Sequence, residues 1–158
     1  MIAWLRRLLA PTVQVPLTWR AQWVVHAAVR HAEGRGARMA DAGDLLYGLA
    51  RTDEGVGRAM LSASGVSLDD LLPDGEVAIS TSQRPPALDM ARWGMDVERV
   101  IAAARAEAAR VGHRYVGTEH LVLGLLHHVG GAGQLLRDRG AWLTGARREM
   151  LQLLRNEV

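Results

Sequence analysis

Four of the six histidines, His113, His120, His127 and His128, fall in the last third of the chain. Their imidazoles are the first groups to weigh as metal ligands. His120 and His127 lie seven residues apart and can share one helical face. A zinc site needs three or four convergent ligands. The sequence has no His-Glu-x-x-His pattern, no Asp or Glu between 120 and 137, and no Cys, so no metal site is expected. The acids offer no general acid–base pair: Asp69-Asp70 are neighbours in a solvated or capping position, and Asp53-Glu54 sit in a turn. Ser62, Ser64 and Ser67 lie near helix ends without a nucleophile elbow. Every one of the 19 basic side chains is Arg, because Lys is absent. That removes the phosphate-contacting Lys of a Walker loop and any Schiff-base Lys. Neither enzymatic activity nor a nucleotide or other cofactor is expected. The densest cationic group, Arg137, Arg139, Arg147 and Arg148, is interleaved with Asp138 and Glu149, and the net charge is only +2. This pattern is usually that of a solvated face, so nucleic acid is not the expected partner, and a nucleic-acid-binding helical protein is the less favoured alternative.

The elements that position these residues follow from an internal repeat. Asp44-Leu-Leu-Tyr-Gly-Leu49 matches His120-Leu-Val-Leu-Gly-Leu125 at an offset of 76. At the same offset Val24-Val25 pairs with Val100-Ile101, Gly36 with Gly112, and Arg38 with Arg114. Downstream the offset is 75, pairing Gly55 with Gly130, Leu61 with Leu136 and Gly65 with Gly140. The economical division is an N-terminal extension, 1–16, a first copy, 17–72, a linker, 73–92, and a second copy, 93–158. The linker holds three of the five prolines, which disfavours a packed helix.

Ala, Leu and Arg dominate and β-branched and aromatic residues are sparse, so the fold class is all-α. Each copy reads as four helices. The first runs from Thr18 to Ala32, with Trp19, Trp23, Val25 or His26, and Val29 or Arg30 near helical spacing. Its counterpart runs from Met95 to Val111, burying Val97, Val100, Ile101, Ala104 and Ala108. The second helix starts at Asp41, with Asp44 completing an approximate capping box; in the second copy Thr118 is the natural N-cap. The third spans Glu54 to Ala63 and Gly131 to Arg139. The fourth is short in copy one, Ser67 to Leu72, and long in copy two, Leu143 to Arg155. A four-helix unit this small has little core of its own, so the two copies are expected to share one as a pseudo-twofold eight-helix domain.

Gly112-His-Arg-Tyr-Val-Gly-Thr-Glu-His-Leu-Val-Leu-Gly-Leu-Leu126 closely resembles the signature of the Clp repeat, found in the N-terminal domains of ClpC- and ClpA-type ATPase chaperones. Ala146-Arg-Arg-Glu-Met-Leu-Gln-Leu-Leu154 and Gly48-Leu-Ala-Arg-Thr-Asp-Glu-Gly-Val56 are also similar to that repeat. The resemblance implies a non-catalytic module that binds peptides or proteins destined for Clp degradation, free-standing here, with a Clp ATPase as a further partner. It would act as an adaptor, a decoy or a sequestering protein; the alternative is a regulatory subunit that docks on a Clp chaperone without binding substrate. In the ClpC branch the Glu of the Thr-Glu-His motif recognises phosphorylated arginine, which implies a ligand site at Thr118, Glu119 and His120. Thr118-Glu119 serving only as a helix cap is the competing reading. Copy one has Ala42, Gly43 and Asp44 in those places, so its site lacks the carboxylate. The family opens each repeat with a Phe-Thr-like entry; Leu17-Thr18 and Trp93-Gly94 stand there. Leu17 and Trp93 are thus candidate partner-binding residues, with Trp93 either an exposed anchor or a staple on its own helix.

No apolar run approaches the roughly 18 residues of a membrane span. The N-terminal stretch is interrupted by Arg6 and Arg7 and reads neither as a signal peptide nor as a membrane anchor. A cytoplasmic location in a bacterium is the expectation, and no membrane partner is foreseen.

Overall fold

The computed structural model describes residues 15–156; the N-terminal stretch 1–14 lies outside them. Among the described residues seven α-helices follow one another: α1 (Trp19–Gly34), α2 (Ala42–Arg51), α3 (Val56–Ala63), α4 (Met95–Arg110), α5 (Thr118–His127), α6 (Gly131–Asp138) and α7 (Leu143–Asn156). The eighth expected helix, Ser67 to Leu72, is a single 3₁₀ turn at Asp69–Leu71. Pro73 is the reason: a residue before proline is pushed out of the helical region, and Leu72 sits at φ −91°, ψ 141°.

Small residues set the pairing of α1 with α2 and of α4 with α5. A Cβ on Gly48 would strike the carbonyl oxygen of Val24, and one on Gly124 that of Val100. These contacts are related by the repeat offset, so each helix pair crosses at an equivalent glycine. The close approach also decides which face of α1 is buried. Ala21, Val24, Val25, Ala28 and Ala32 face inward, whereas Trp19, expected on the stripe, is 52% exposed. In α4 the expected stripe is buried throughout. Each α1–α2 or α4–α5 corner turns through a glycine at positive φ, Gly36 (77°) and Gly112 (75°), where a side chain would be strained.

The two copies interlock. Helix α3 of the first packs on α5 and α7 of the second, and α6 of the second packs back on α2 of the first. One continuous apolar cluster runs through both, from Val24 and Leu49 to Ile101 and Leu125. Two isolated parallel bridges repeat the relation in the backbone. Leu17 pairs with Val116, and Ala40 pairs with Trp93. The amide of Thr18 donates to the Val116 carbonyl (2.9 Å) as that of Gly94 donates to Ala40 (2.9 Å). The amide of Val116 donates to Pro16 (2.8 Å) as that of Ala40 donates to Arg92 (2.8 Å). All four bonds map onto one another under the 76-residue offset, as a pseudo-twofold requires.

The connector between the copies forms no α-helix, yet it is pinned to copy one. The Ile79 amide donates to Arg51 (2.6 Å), and Asp53 accepts from the amide and hydroxyl of Thr81 (3.1 and 3.0 Å). Trp23 Nε1 donates to the Gln83 carbonyl (2.8 Å).

Candidate functional site

Thr118, Glu119 and His120 form the first turn of α5 and are all buried. The N-cap is Gly117, extended at φ −94°, ψ −178°, so Thr118 is not the cap of its own helix. Its Oγ1 accepts instead from the Gly57 amide (3.0 Å), capping α3 of the other copy. That helix opens with Gly55, which has no side chain to do so. Without a side-chain cap from residue 117, α5 is closed by its N3 residue: His120 Nδ1 accepts from the Gly117 amide (2.9 Å). A Cβ at 117 would collide with the Glu119 carboxylate, which therefore lies over the glycine.

His120 Nδ1 accepts a hydrogen bond from the backbone, so the ring's own proton sits on Nε2, and the 2.8 Å bond to His113 Nδ1 runs from His120 to His113. The tautomer follows from the bonding pattern. Burial, aided by the neighbouring His113, pushes His120 down to about 4, against a weaker upward pull from Glu107. The imidazole is neutral near pH 7, so the 3.5 Å approach of Glu119 Oε1 to Nδ1 is no ion pair. His113, Glu119 and His120 do bring one ligand atom each within 4.8 Å of one another. Both nitrogens of His120 are engaged, however, and a cation would have to displace its proton and break the bond to His113. His127, seven residues on, instead joins Arg147 and Arg110 around the buried Glu107.

Glu119 lines a half-open pocket of about 410 Å³. Thr18, Trp19 and Arg20 come from α1 and its entry, Gly55 and Val56 from the start of α3, and Thr81 and Ser82 from the connector. Arg20 is held at the rim by Glu54 (2.7 Å). A carboxylate beside a helix N-terminus and hydroxyls is chemically suited to a group carrying both a cation and an anion. Sequence reasoning singled out Thr118, Glu119 and His120; it missed Arg20, Thr81 and the α3 terminus, which come from three distant segments.

The equivalent place in copy one is built differently. Gly43 stands where Glu119 does, and Asp44 is 1% exposed. Arg35 grips Asp44 with two bonds (3.0 and 2.7 Å), His31 adds a third (2.7 Å), and the Asp41 amide a fourth (2.8 Å). Burial alone would raise this carboxyl; the Arg35, Asp41 and His31 bonds overcome it and hold it below its ordinary value. Asp44 and Asp41 form the expected capping box, so this acid closes a helix and is not offered to a ligand.

Trp93 is 6% exposed and part of the core. The backbone bridge to Ala40 draws it inward, and its ring is not a surface anchor. Leu17, half-buried, packs against the same core beside Val116. Exposed apolar side chains lie elsewhere, among them Trp19 and Trp142.

Residues 16–139 match the family model described as the Clp repeat (R) N-terminal domain. The chain belongs to this family. It is 31% identical over 138 residues to the chaperone protein ClpB of Oceanobacillus iheyensis, and 33% identical over 138 residues to the negative regulator of genetic competence ClpC/MecB of Bacillus subtilis. Each match covers 87% of this chain and 17% of the relative, so this Clp repeat chain spans less than a fifth of those proteins. The crystal structure of the N-terminal domain of the chaperone ClpD from Arabidopsis thaliana superposes with a TM-score of 0.60. That match has 23% identity and covers 92% of this chain and 99% of that one, which fixes the shared fold. Clp repeat domains are non-catalytic protein-interaction modules of Clp chaperones. Among the described residues no helix is long and apolar enough to cross a membrane.

Proposed function

We propose that this Clp repeat domain captures peptide segments of Clp substrates through the Glu119 pocket, with phosphorylated arginine as the ligand, and acts as an adaptor, decoy or sequestering protein. The observation that carries this reading is the placement of the Glu119 carboxylate in one pocket with the opening turn of α3. Glu119 would take the guanidinium. The start of α3, with the Thr18 hydroxyl, would take the phosphoryl oxygens, since a helix N-terminus favours an anion. Thr118 acts indirectly by holding α3 against α5, and His120 by fixing the turn that carries Glu119.

Calorimetric titration with free phosphoarginine and a phosphoarginine peptide tests it. Saturable binding is expected to be weakened by at least roughly tenfold in Glu119→Gln, the usual effect of losing one charged partner from a hydrogen-bonded pair. Equal affinity in the variant, or no binding to the wild type, would overturn the assignment of this pocket.

A further inference from the structure

The pseudo-twofold gives the Glu119 pocket a counterpart of unlike chemistry. Gly117, Thr118 and Glu119 correspond to Asp41, Ala42 and Gly43; Arg20 corresponds to Asp96, and Val56 to Gly131. All five of these counterpart positions line a separate pocket of about 530 Å³, within the ~300–1,000 Å³ range of ligand sites. With Gly43 in place of the glutamate, the space opens onto an apolar floor of Leu46, Leu71, Ala132 and Leu135. Where the Glu119 pocket carries Arg20, this one carries Asp96. Its lining holds two carboxylates and no guanidinium, in a protein with 19 Arg and a net charge of +2.

Asp41 is already engaged, holding Arg35 (3.0 Å) and the Asp44 amide (3.0 Å). Asp96 is 42% exposed and meets His128 across 3.8 Å, so its carboxylate is placed to receive a cation from outside. Beside the pocket, Met95 and Met39 are 66% and 51% exposed. Met39 lies against Gly94, next to Met95. Exposed, unbranched thioethers suit a surface that moulds itself to varied apolar chains.

We infer that this pocket is a second, distinct peptide site, which takes an unmodified segment presenting one bulky aliphatic side chain next to an arginine or lysine. The aliphatic group enters between Leu46 and Leu135, and the cation pairs with Asp96. The inference rests on reading the protein as a peptide-binding module, but not on phosphoarginine recognition at Glu119.

Two capped peptides, acetyl-Gly-Arg-Leu-Arg-Gly-amide and the same peptide with serine for leucine, are titrated into the isotope-labelled full chain and followed by NMR. The leucine peptide is expected to bind saturably and shift the amides of Gly43, Leu46, Ala132 and Leu135. The serine peptide should bind at least roughly tenfold more weakly, the worth of one buried aliphatic side chain. Asp96→Asn, a change at an exposed position, should weaken the leucine peptide several-fold and leave phosphoarginine titration unchanged. Gly43→Met, whose Cβ would meet the movable Asp41 carboxylate at 3.1 Å, should compete for the pocket and weaken the peptide roughly tenfold. A leucine peptide that leaves these amides unmoved, binds no better than the serine peptide, or is displaced by phosphoarginine overturns the proposal. Loss of phosphoarginine binding alone, with the leucine peptide retained, overturns the Glu119 assignment and not this one.

Discussion

His120 and Glu107 show how single buried groups tie this fold to pH in two separate windows. His120 is held at about 4 against an ordinary value near 6.5. It stays neutral in the fold while the unfolded chain takes up a proton. Its contribution is therefore fully present above pH ~6.5 and is lost as pH falls toward 4, at up to roughly 1.4 kcal/mol per pH unit. Glu107 runs lower. Burial would raise it, but Arg147, His127 and Arg110 bring it to about 2, so its contribution is present above pH ~4.5 and disappears between there and 2. Denaturant titrations at pH 7, 5.5 and 4.5 should show a progressive loss of stability in the wild type. His120→Gln should be less stable at pH 7 yet lose less between pH 7 and 4.5. Parallel pH dependence in the two proteins would rule out His120 as the source.

At the scale of elements, the glycines at the helix crossings matter more than the helix propensities around them. Gly48 and Gly124 lie inside helices, where glycine costs about 1 kcal/mol relative to alanine in isolation. Alanine at either place would nevertheless drive a methyl into a backbone carbonyl of the partner helix, Val24 or Val100. Gly48→Ala and Gly124→Ala are each expected to destabilise the protein by about 1–3 kcal/mol, read as a lower denaturation midpoint with an unchanged m-value. Helix propensity alone predicts the opposite sign, so a stabilised variant would show that the crossing is looser than described. The short α3 and α6 depend on the other copy in the same way, α3 through the Thr118 hydroxyl on its Gly57 amide and α6 through its packing on α2.

For the whole molecule, interlocking predicts one cooperative transition. Neither copy closes an apolar core alone, because α3 completes copy two and α6 completes copy one. Tryptophan fluorescence, which reads Trp23 on one side and Trp93 at the junction, and far-ultraviolet circular dichroism should give coincident unfolding curves. Separate transitions would mean that the copies are independent units joined by a tether.

The helical class and the tandem repeat are written in local periodicity and in the 76-residue self-similarity, because side-chain spacing along a helix is a property of the chain itself; the motif at 118–120 is legible through its resemblance to the Clp repeat signature. The Asp41–Asp44 box is legible for the same reason, its two partners being three residues apart. Tertiary structure decided what depends on segments far apart in sequence. It turned Trp19 outward and Trp93 inward, since helices that cross at glycine bury the Ala/Val face and leave large rings to whatever space remains. It gave Thr118 a helix in the other copy to cap, 61 residues away. It also set Arg20 in one pocket with Glu119 and Asp96 in another with Gly43, so that two pockets related by the repeat carry different charge. The glycine at 43 is plain in the sequence, but what it opens onto is fixed only where α2, α4 and α6 meet.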